Sequence, residues 1–271
     1  MSGIGIVQSV VMDRTQVYGI IVESVRQSVR AKFKGNYSIL TMRILLKCPT
    51  RGRREKFLLT IKKWIDLADN PELMGILVSA DVDDPSMRGF TEADLPNVPW
   101  KKVCFGESKT KIQACNADIE KVDWEWDIVI LVSDDMIPKV KGYDSRVRGA
   151  MKDLNHIVWI YDGFQNAHLN TLNIFGRERY LSWGYLYHPE YKSLYCDNEI
   201  TDWCRANSQH CTIITDVIIK HEHPYTTPGI PTDELYKKNQ IYVSEDHATY
   251  KRRKLHSETS KLGFLKLLSR R

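Results

Sequence analysis

The sequence has little that would place it in a membrane or in an oxidising compartment. No stretch of about 18 or more uncharged apolar residues occurs, so no ordinary membrane-spanning helix is expected. The start, MSGIGIVQSVVMDR, lacks the basic residues that precede the apolar part of a signal peptide. None of the six cysteines forms a CxxC pair, which disfavours a zinc site. We therefore expect a cytoplasmic protein with reduced, buried thiols.

The net charge of +5 is unevenly distributed along the 271 residues. Residues 1–41 carry five basic and two acidic side chains, and residues 251–271 carry eight and one. The intervening residues 42–250 are therefore acidic overall. We predict an N-terminal extension of uncertain structure (1–41), one folded domain (42–250) and a basic C-terminal tail (251–271). The basic ends suit either a polyanion, such as nucleic acid or an anionic membrane surface, or a solvated and disordered role.

From residue 42 the pattern becomes that of an α/β protein. Apolar runs at 43–48, 75–80, 102–105 and 126–132 predict strands, and helical periodicity at 55–68 predicts a helix between the first two. A second helix is expected near residues 109–120. Strands that are apolar throughout and alternate with helices indicate a parallel sheet covered on both faces.

Polar residues follow three of these strands. They are Thr50-Arg51-Gly52-Arg53, the acidic cluster between Asp81 and Asp84, and Asp134-Asp135. In open α/β sheets the ligand binds beyond the carboxyl ends of the strands, so these groups are expected to meet in one crevice. The convergence of three clusters indicates a binding site more strongly than any single motif.

Asp134 and Asp135 end the most apolar strand of the chain. Two carboxylates on such a turn can hold a hard divalent cation, Mn²⁺ or Mg²⁺, through oxygen. That cation would offset the charge of a diphosphate leaving group. The alternative is that the pair caps a helix or faces water.

Several segments resemble the nucleotide-sugar glycosyltransferases of the GT-A fold, especially family-two-like enzymes of phages and other viruses. The resemblance covers about residues 42–245, and its most specific pieces are KCPTRGR, VSADVDDP, ILVSDDMIP and LYHPEYKSLYCDNEITDW followed by KHEHP. It implies a single GT-A-like α/β domain and a metal-dependent, inverting sugar transfer. It also implies a nucleotide-diphosphate sugar as donor, an acceptor hydroxyl, and the cytoplasm of a microbial or virus-infected cell as the location.

The resemblance assigns donor-binding roles by position. Thr50 and Arg51 would contact the nucleoside or its phosphates, Asp81 would bond the base, and Lys109 and Lys111 would approach the ribose or diphosphate. The full set of predicted donor-binding residues is Thr50, Arg51, Arg53, Asp81, Lys109, Lys111, Asn116 and Asp134. The alternatives are a solvated turn for the two arginines and a strand-end cap for Asp81.

The second half of the chain resembles the acceptor side of these enzymes. Its predicted acceptor-facing residues are Trp159, Asp162, Gly163 and Asn170. An inverting transferase needs a carboxylate that deprotonates the acceptor hydroxyl, and the resemblance places Asp197 in that position, with Glu199 as the second candidate. Asp197 also precedes an apolar helix-like stretch, so the alternative is a helix N-cap.

His221 and His223 are two residues apart after a β-like stretch, so both side chains would face the same way. Metal-dependent GT-A enzymes often use a C-terminal histidine as a ligand, so the predicted metal set is Asp134, Asp135, His221 and His223, with His223 preferred. A surface turn before Pro224 is the alternative. The sequence departs from the family in two places, with Ser-Asp-Asp for Asp-x-Asp and Asp-Asn-Glu for Glu-Asp.

Two other functions remain open from the sequence. A nucleotidyltransferase would carry a glycine-rich loop near its N-terminus, and the 48–56 loop contains Gly52 alone. A non-catalytic nucleic-acid-binding protein would present a broad basic face, whereas the central region is acidic. The acceptor is also open: a hydroxymethylated pyrimidine in viral DNA, held by the basic ends, or a glycan or protein hydroxyl.

Overall fold

The computed structural model describes residues 39–223, 227, 229 and 234–268, with side chains up to residue 256. Residues 1–38 of the predicted N-terminal extension therefore lie outside the described part of the chain. The strands are β1 (Ile44–Thr50), β2 (Met74–Asp81), β3 (Trp100–Gly106), β4 (Ile128–Leu131), β5 (Met136–Pro138), β6 (Ile157–Ile160), β7 (Ile174–Gly176), β8 (Cys211–Ile214) and β9 (Ile219–His221). The α-helices are α1 (Arg54–Asp66), α2 (Lys111–Asn116), α3 (Tyr143–Ala150), α4 (Arg177–Trp183), α5 (Cys196–Ala206), α6 (Glu234–Gln240) and α7 (Val243–Leu268).

Seven strands form one mixed sheet in the order β3-β2-β1-β4-β7-β6-β8. Strands β1 to β4 pair in parallel, β7 runs antiparallel to both β4 and β6, and β8 is parallel to β6. Strands β5 and β9 form a separate antiparallel ribbon. The predicted fold class, one α/β domain with a mostly parallel sheet flanked by helices, is confirmed.

The central strands are buried on both faces, which explains why their sequences are apolar throughout. All eight residues of β2 and all four of β4 are buried. Helix α1 contributes Phe57, Ile61, Trp64 and Ile65 to the core beside this sheet. Continuous apolar strands and an apolar helical stripe therefore bury each other, as the periodicity predicted.

Three boundaries differ from the sequence prediction. Strand β1 continues through Pro49, because β4 pairs with β1 only as far as Lys47 and the proline meets β2 alone. The helix expected near 109–120 ends at Asn116, and Asp118 adopts a left-handed backbone conformation, φ 69°. The boundary expected between residues 250 and 251 falls inside α7.

The six cysteines are all free thiols. Among the described helices, none combines the length and apolar character needed to cross a bilayer.

Candidate functional site

A cavity of about 490 Å³ opens at the carboxyl ends of β1, β2 and β4, a size typical of small-molecule sites. It is lined by residues from distant parts of the chain that the sequence analysis singled out. These are Thr50, Arg51, Arg53, Asp81, Lys109, Lys111, Asp134, Asp135, Asp197, His221 and His223. The expected convergence of the strand ends is therefore present in the fold, whereas the role of each residue stays a prediction.

Arg51 ties together the loops that follow β1 and β2. Its Nη1 lies 2.6 Å from Asp81 Oδ2, and its two terminal nitrogens donate to both oxygens of Asp83 at 2.5 and 2.9 Å. The other oxygen of Asp81 accepts the backbone N–H of Ser108, 3.0 Å away in the loop after β3. Gly52 has φ +69°, a conformation that lets the β1 loop turn back at this point. One wall of the cavity is therefore held in place before any ligand binds.

Asp134 and Asp135 have different surroundings despite being adjacent. Asp134 forms ion pairs with Arg53, at 3.0 Å, and with Lys56, at 3.3 Å. Burial raises the pKa of Asp134, and the neighbouring charge of Asp135 adds to that shift, whereas Arg53 and Lys56 oppose it. Asp134 therefore holds basic side chains of the β1–α1 region, and its neighbour faces the opposite wall.

Asp135 faces His221 because the β5–β9 ribbon brings their segments together. Met136 pairs with His221 in the ribbon, and Glu222 donates its N–H to the backbone oxygen of Asp135 at 2.7 Å. The side-chain atoms Asp135 Oδ2 and His221 Nε2 are 3.6 Å apart. On its other side, His221 Nδ1 lies 3.3 Å from Asp162 Oδ2. The imidazole is therefore oriented between two buried carboxylates.

The carboxylates of Asp135 and Asp162 give the surroundings of His221 a negative charge that favours a positively charged group. Burial disfavours the imidazolium, but hydrogen bonds and charge from Asp135 and Asp162 raise the pKa of His221 to about 9. Although burial opposes the effect, His221, Ser133 and Tyr236 hold the pKa of the Asp135 carboxyl well below its usual range. Asp135 and Asp162 thus favour a positive charge on His221, and a cation that bound to this imidazole would release its proton.

Asp135 and His221 are two potential ligands of a cation that a phosphate ligand would have to share. In residues 39–223 and the other described segments, no three His, Cys, Asp or Glu side chains group closely enough to hold a metal by themselves. Mg²⁺ in nucleotide sites is commonly held by one or two carboxylates together with substrate phosphates. Asp135 and His221 fit this role, and Asp162 would orient the histidine, as carboxylates do behind many metal-bound imidazoles.

Asp162, which was predicted on the acceptor side, is buried behind His221, where it accepts several hydrogen bonds. Its carboxylate accepts three backbone N–H groups, at 2.7 to 3.1 Å, and the hydroxyl of Thr171 at 2.7 Å. The other predicted acceptor residues also lie outside the cavity lining. Trp159 is buried and donates its indole N–H to the oxygen of Asn166, Asn170 is buried, and Gly163 has φ +75° in the turn after Asp162.

Asp197 lies in the first turn of α5 and lines the cavity. Burial raises its pKa, while Lys111, also in the cavity lining, has the opposite effect. The N-cap of α5 is Tyr195, with φ 61°, so Asp197 is not the cap. A partly desolvated carboxylate with a raised pKa is a stronger base than an ordinary aspartate.

Two other predicted residues point elsewhere. Glu199 is bonded to Arg253 through both oxygens, at 2.7 Å each, and accepts the hydroxyl of Tyr191. Asn116 accepts the backbone N–H groups of residues 186 and 187 and donates to the oxygen of Tyr187. Both side chains hold neighbouring segments in place, and neither lines the cavity.

The cavity wall also contains residues that were not predicted from the sequence, among them Tyr236, Phe164 and Ser193. Tyr236 of α6 donates its hydroxyl to Asp135 Oδ2 at 2.8 Å, and its ring lies 5.0 Å from the guanidinium carbon of Arg53. Phe164 stacks on His223, with ring centroids 4.9 Å apart. Ser193 is 1% exposed. None has a local sequence signal, because each reaches the cavity through a loop or helix from another part of the chain.

No family model and no curated protein sequence matches this chain. Solved structures do match its fold. The mannosyltransferase PcManGT from Pyrobaculum calidifontis, in complex with GDP-Man and Mn²⁺, has a TM-score of 0.53 at 14% identity, over 78% of this chain and 67% of its own. TarS 1–349 from S. aureus has a TM-score of 0.50 at 15% identity, over 66% of this chain and 59% of its own.

These likenesses show the fold, which is the GT-A-like fold expected from the motifs. The chain spans less than two thirds of the length of TarS 1–349. The more specific resemblance to phage and viral enzymes finds no support in these two structures and stays a prediction.

Proposed function

We propose that the protein is a metal-dependent, inverting glycosyltransferase that moves a sugar from a nucleotide-diphosphate sugar to an acceptor hydroxyl. The observation that carries the proposal is that one cavity joins the Asp135–His221 pair to Asp197. The donor side of this cavity is the part formed by loops 50–53, 81–84, 106–111 and 133–135. The acceptor side is formed by residues 164–171, 187–197 and 235–242.

On the donor side, cationic side chains would face the phosphates. Arg53, Lys109 and Lys111 line the cavity and would balance the charge of the diphosphate. A divalent cation held by Asp135 and His221, Mn²⁺ or Mg²⁺, would stabilise the leaving group as its negative charge develops. Asp81, which also lines the cavity, would accept a hydrogen bond from the base.

On the acceptor side, Asp197 would act as the general base. Its carboxylate removes the proton from the acceptor hydroxyl as that oxygen bonds to the anomeric carbon. The bond from that carbon to the diphosphate oxygen breaks, and the nucleoside diphosphate leaves with the electron pair. A single displacement of this kind inverts the configuration at the anomeric carbon. Burial raises the pKa of Asp197, and this is the direction of shift that strengthens a general base.

The acceptor is proposed only as a hydroxyl compound. The expectation of modified DNA depended on the basic ends of the chain. Of the predicted basic tail, Arg252, Arg253 and Lys254 form ion pairs with carboxylates of the domain, namely Glu190, Glu199 and Asp202. Those three charges are therefore partly neutralised, and the DNA acceptor now depends on the rest of the two ends.

Product analysis tests the proposal. The purified protein is incubated with Mn²⁺ or Mg²⁺ and a panel of UDP- and GDP-sugars, then with hydroxymethylated DNA, free glycans or hydroxyl-bearing peptides. We expect release of a nucleoside diphosphate and a glycosylated acceptor of inverted configuration. Release of pyrophosphate in a parallel incubation with a nucleoside triphosphate and a sugar 1-phosphate would identify a nucleotidyltransferase instead. Absence of nucleotide-sugar binding would reject the proposal.

A further inference from the structure

The first half of α7 lies against the segment that leads into α5. Asp246 of α7 is 0% exposed, and its carboxylate accepts the backbone N–H groups of Lys192, Ser193 and Leu194, each at 2.8 Å. Ser193 and Leu194 line the cavity. A single buried carboxylate from α7 therefore fixes three consecutive residues of the acceptor side.

The residue that follows this turn has a constrained backbone. Tyr195 has φ 61°, in the left-handed region that is unfavourable for residues other than glycine. Its ring stacks on His247 and Tyr250 of α7, with centroid distances of 4.9 and 6.1 Å. The conformation that starts α5, two residues before Asp197, is thus held by side chains of α7.

Helix α7 also holds α5 further along. Arg253 bonds both oxygens of Glu199 at 2.7 Å, and Asp202 accepts from Tyr250 at 2.6 Å and from Lys254 at 2.8 Å. These contacts lie further along α5 than Asp197, so they restrict both the rotation and the translation of the helix. The helix that carries the proposed base is fixed at its start and along its length by the same partner.

We propose that α7 positions the general base, with Asp246 as a positioning residue that acts on Asp197 through the turn 192–195. This inference rests on the proposed function and adds a residue that does not line the cavity. A carboxylate base is effective only when it is within hydrogen-bonding reach of the acceptor hydroxyl. Displacements of about 1 Å at such a group lower turnover by roughly 100-fold.

The test compares Asp246→Asn with Glu245→Gln in the full chain. The asparagine keeps the shape but replaces one acceptor oxygen with an N–H donor that faces backbone N–H groups. Glu245 is the adjacent carboxylate of α7, and it pairs with the same Lys192 at the surface. We expect Asp246→Asn to lower kcat by roughly 10- to 100-fold, with the donor Kd within about twofold of wild type. Glu245→Gln should match wild type in both measurements.

A double-mutant cycle shows whether Asp246 acts through Asp197. If it does, adding Asp246→Asn to Asp197→Asn should cost much less than it does in the wild-type background. Additive losses would overturn the proposal, and so would a folded Asp246→Asn protein with wild-type kcat. If Asp246→Asn does not fold, His247→Ala, which removes one stacking partner of Tyr195, takes its place with the same expectations. Wild-type turnover in Asp197→Asn would instead reject the proposed function, which is a separate outcome.

Discussion

The donor side of the cavity follows parallel strands β1 to β4, whereas the acceptor side is assembled from the loop 164–171, the segment 187–197 that leads into α5, and the region of α6. On the donor side each polar cluster comes directly after its own apolar strand, and the loops bond to one another through Arg51 and Asp81. On the acceptor side some residues are held by a partner far away in sequence, such as Asp246 for residues 192–194. The local sequence pattern of strands and loops is therefore enough to predict the residues of the donor side. The residues of the acceptor side are positioned by tertiary contacts.

The largest loss of turnover should follow the replacement of Asp135, which lies where the donor and acceptor sides of the cavity meet. Asp135→Ala removes the carboxylate that faces His221 and, with it, the cation that would stabilise the leaving group. We expect turnover to fall by about 10³ or more, because such stabilisation is worth several kcal/mol. The measurement is a Mn²⁺ titration of the transfer rate.

Asp134→Asn is the matched variant for this prediction. It removes the partner of Arg53 and Lys56, so it should weaken donor binding and leave the cation dependence in place. Full activity of Asp135→Ala in the presence of a chelator would contradict the metal assignment.

The next largest loss of turnover should follow the replacement of Asp197, the proposed general base on the acceptor side. Asp197→Asn should lower kcat by roughly 10²–10⁴, the usual range for general base catalysis, with little change in donor affinity. Glu199→Gln serves as the comparison, since Glu199 is bonded to Arg253 and Tyr191. It should lower the melting temperature and leave the turnover of folded protein within a few-fold of wild type. The reverse pattern would exchange the roles of these two carboxylates.

A smaller loss of activity should follow the replacement of Asp162, which orients His221 without lining the cavity. Asp162→Asn should weaken cation affinity by about 10- to 100-fold, as is typical when the partner of a metal-bound histidine is lost. Turnover should recover at high Mn²⁺ concentration. An activity loss that no cation concentration restores would indicate collapse of the 162–166 turn instead.

Replacement of Lys47, which lies in strand β1, should change the stability of the protein and hardly change its turnover. Its side chain is 0% exposed, and it donates to Ser79, which in turn donates to Asp118. Burial lowers the pKa of Lys47 from 10.5 to about 8, although nearby Cys115 and Asp118 oppose the shift. Between these two pH values the unfolded chain binds more protons than the folded protein does, so stability should rise with pH.

The comparison with Lys47→Met isolates this effect from other ionisations. The free energy of unfolding of wild type relative to the variant should increase by up to about 3 kcal/mol as the pH rises through the interval between the folded and unfolded pKa values of Lys47. Chemical denaturation at a series of pH values measures it. A difference that does not change with pH would mean that Lys47 keeps its ordinary pKa.

The same contrast explains how much could be predicted from the sequence. The fold class, the order of the first strands and the strand-end residues followed from apolar runs and the polar residues after them. The predicted metal set already grouped Asp135 with His221, but the choice of His221 over the preferred His223 as the partner of Asp135 did not follow, because it depends on the ribbon register between Met136 and His221. Likewise, the local pattern around Asp162 gave no sign that it would lie behind His221.

The number of basic residues in a segment gives its net charge but does not show where the side chains lie in the fold. Residues 251–254 are basic and were predicted to belong to a tail that either binds a polyanion or is solvated, but three of them bind carboxylates on or near α5. Their partners lie far earlier in the chain, at residues 190, 199 and 202, and no local pattern links the two segments. Long-range ion pairs of this kind are not visible in a single sequence.

The docking of α7 on α5 also sets an order of events during synthesis. Strands β1 to β4 and their loops have all been made by residue 135, whereas the residues that hold the start of α5 belong to α7, the last helix of the described chain. Since chains emerge from the ribosome from the N-terminus onward, the donor side can assemble on a nascent chain. The acceptor side must await residues 246–254, so a chain that stops before them would lack the contacts that fix Asp197.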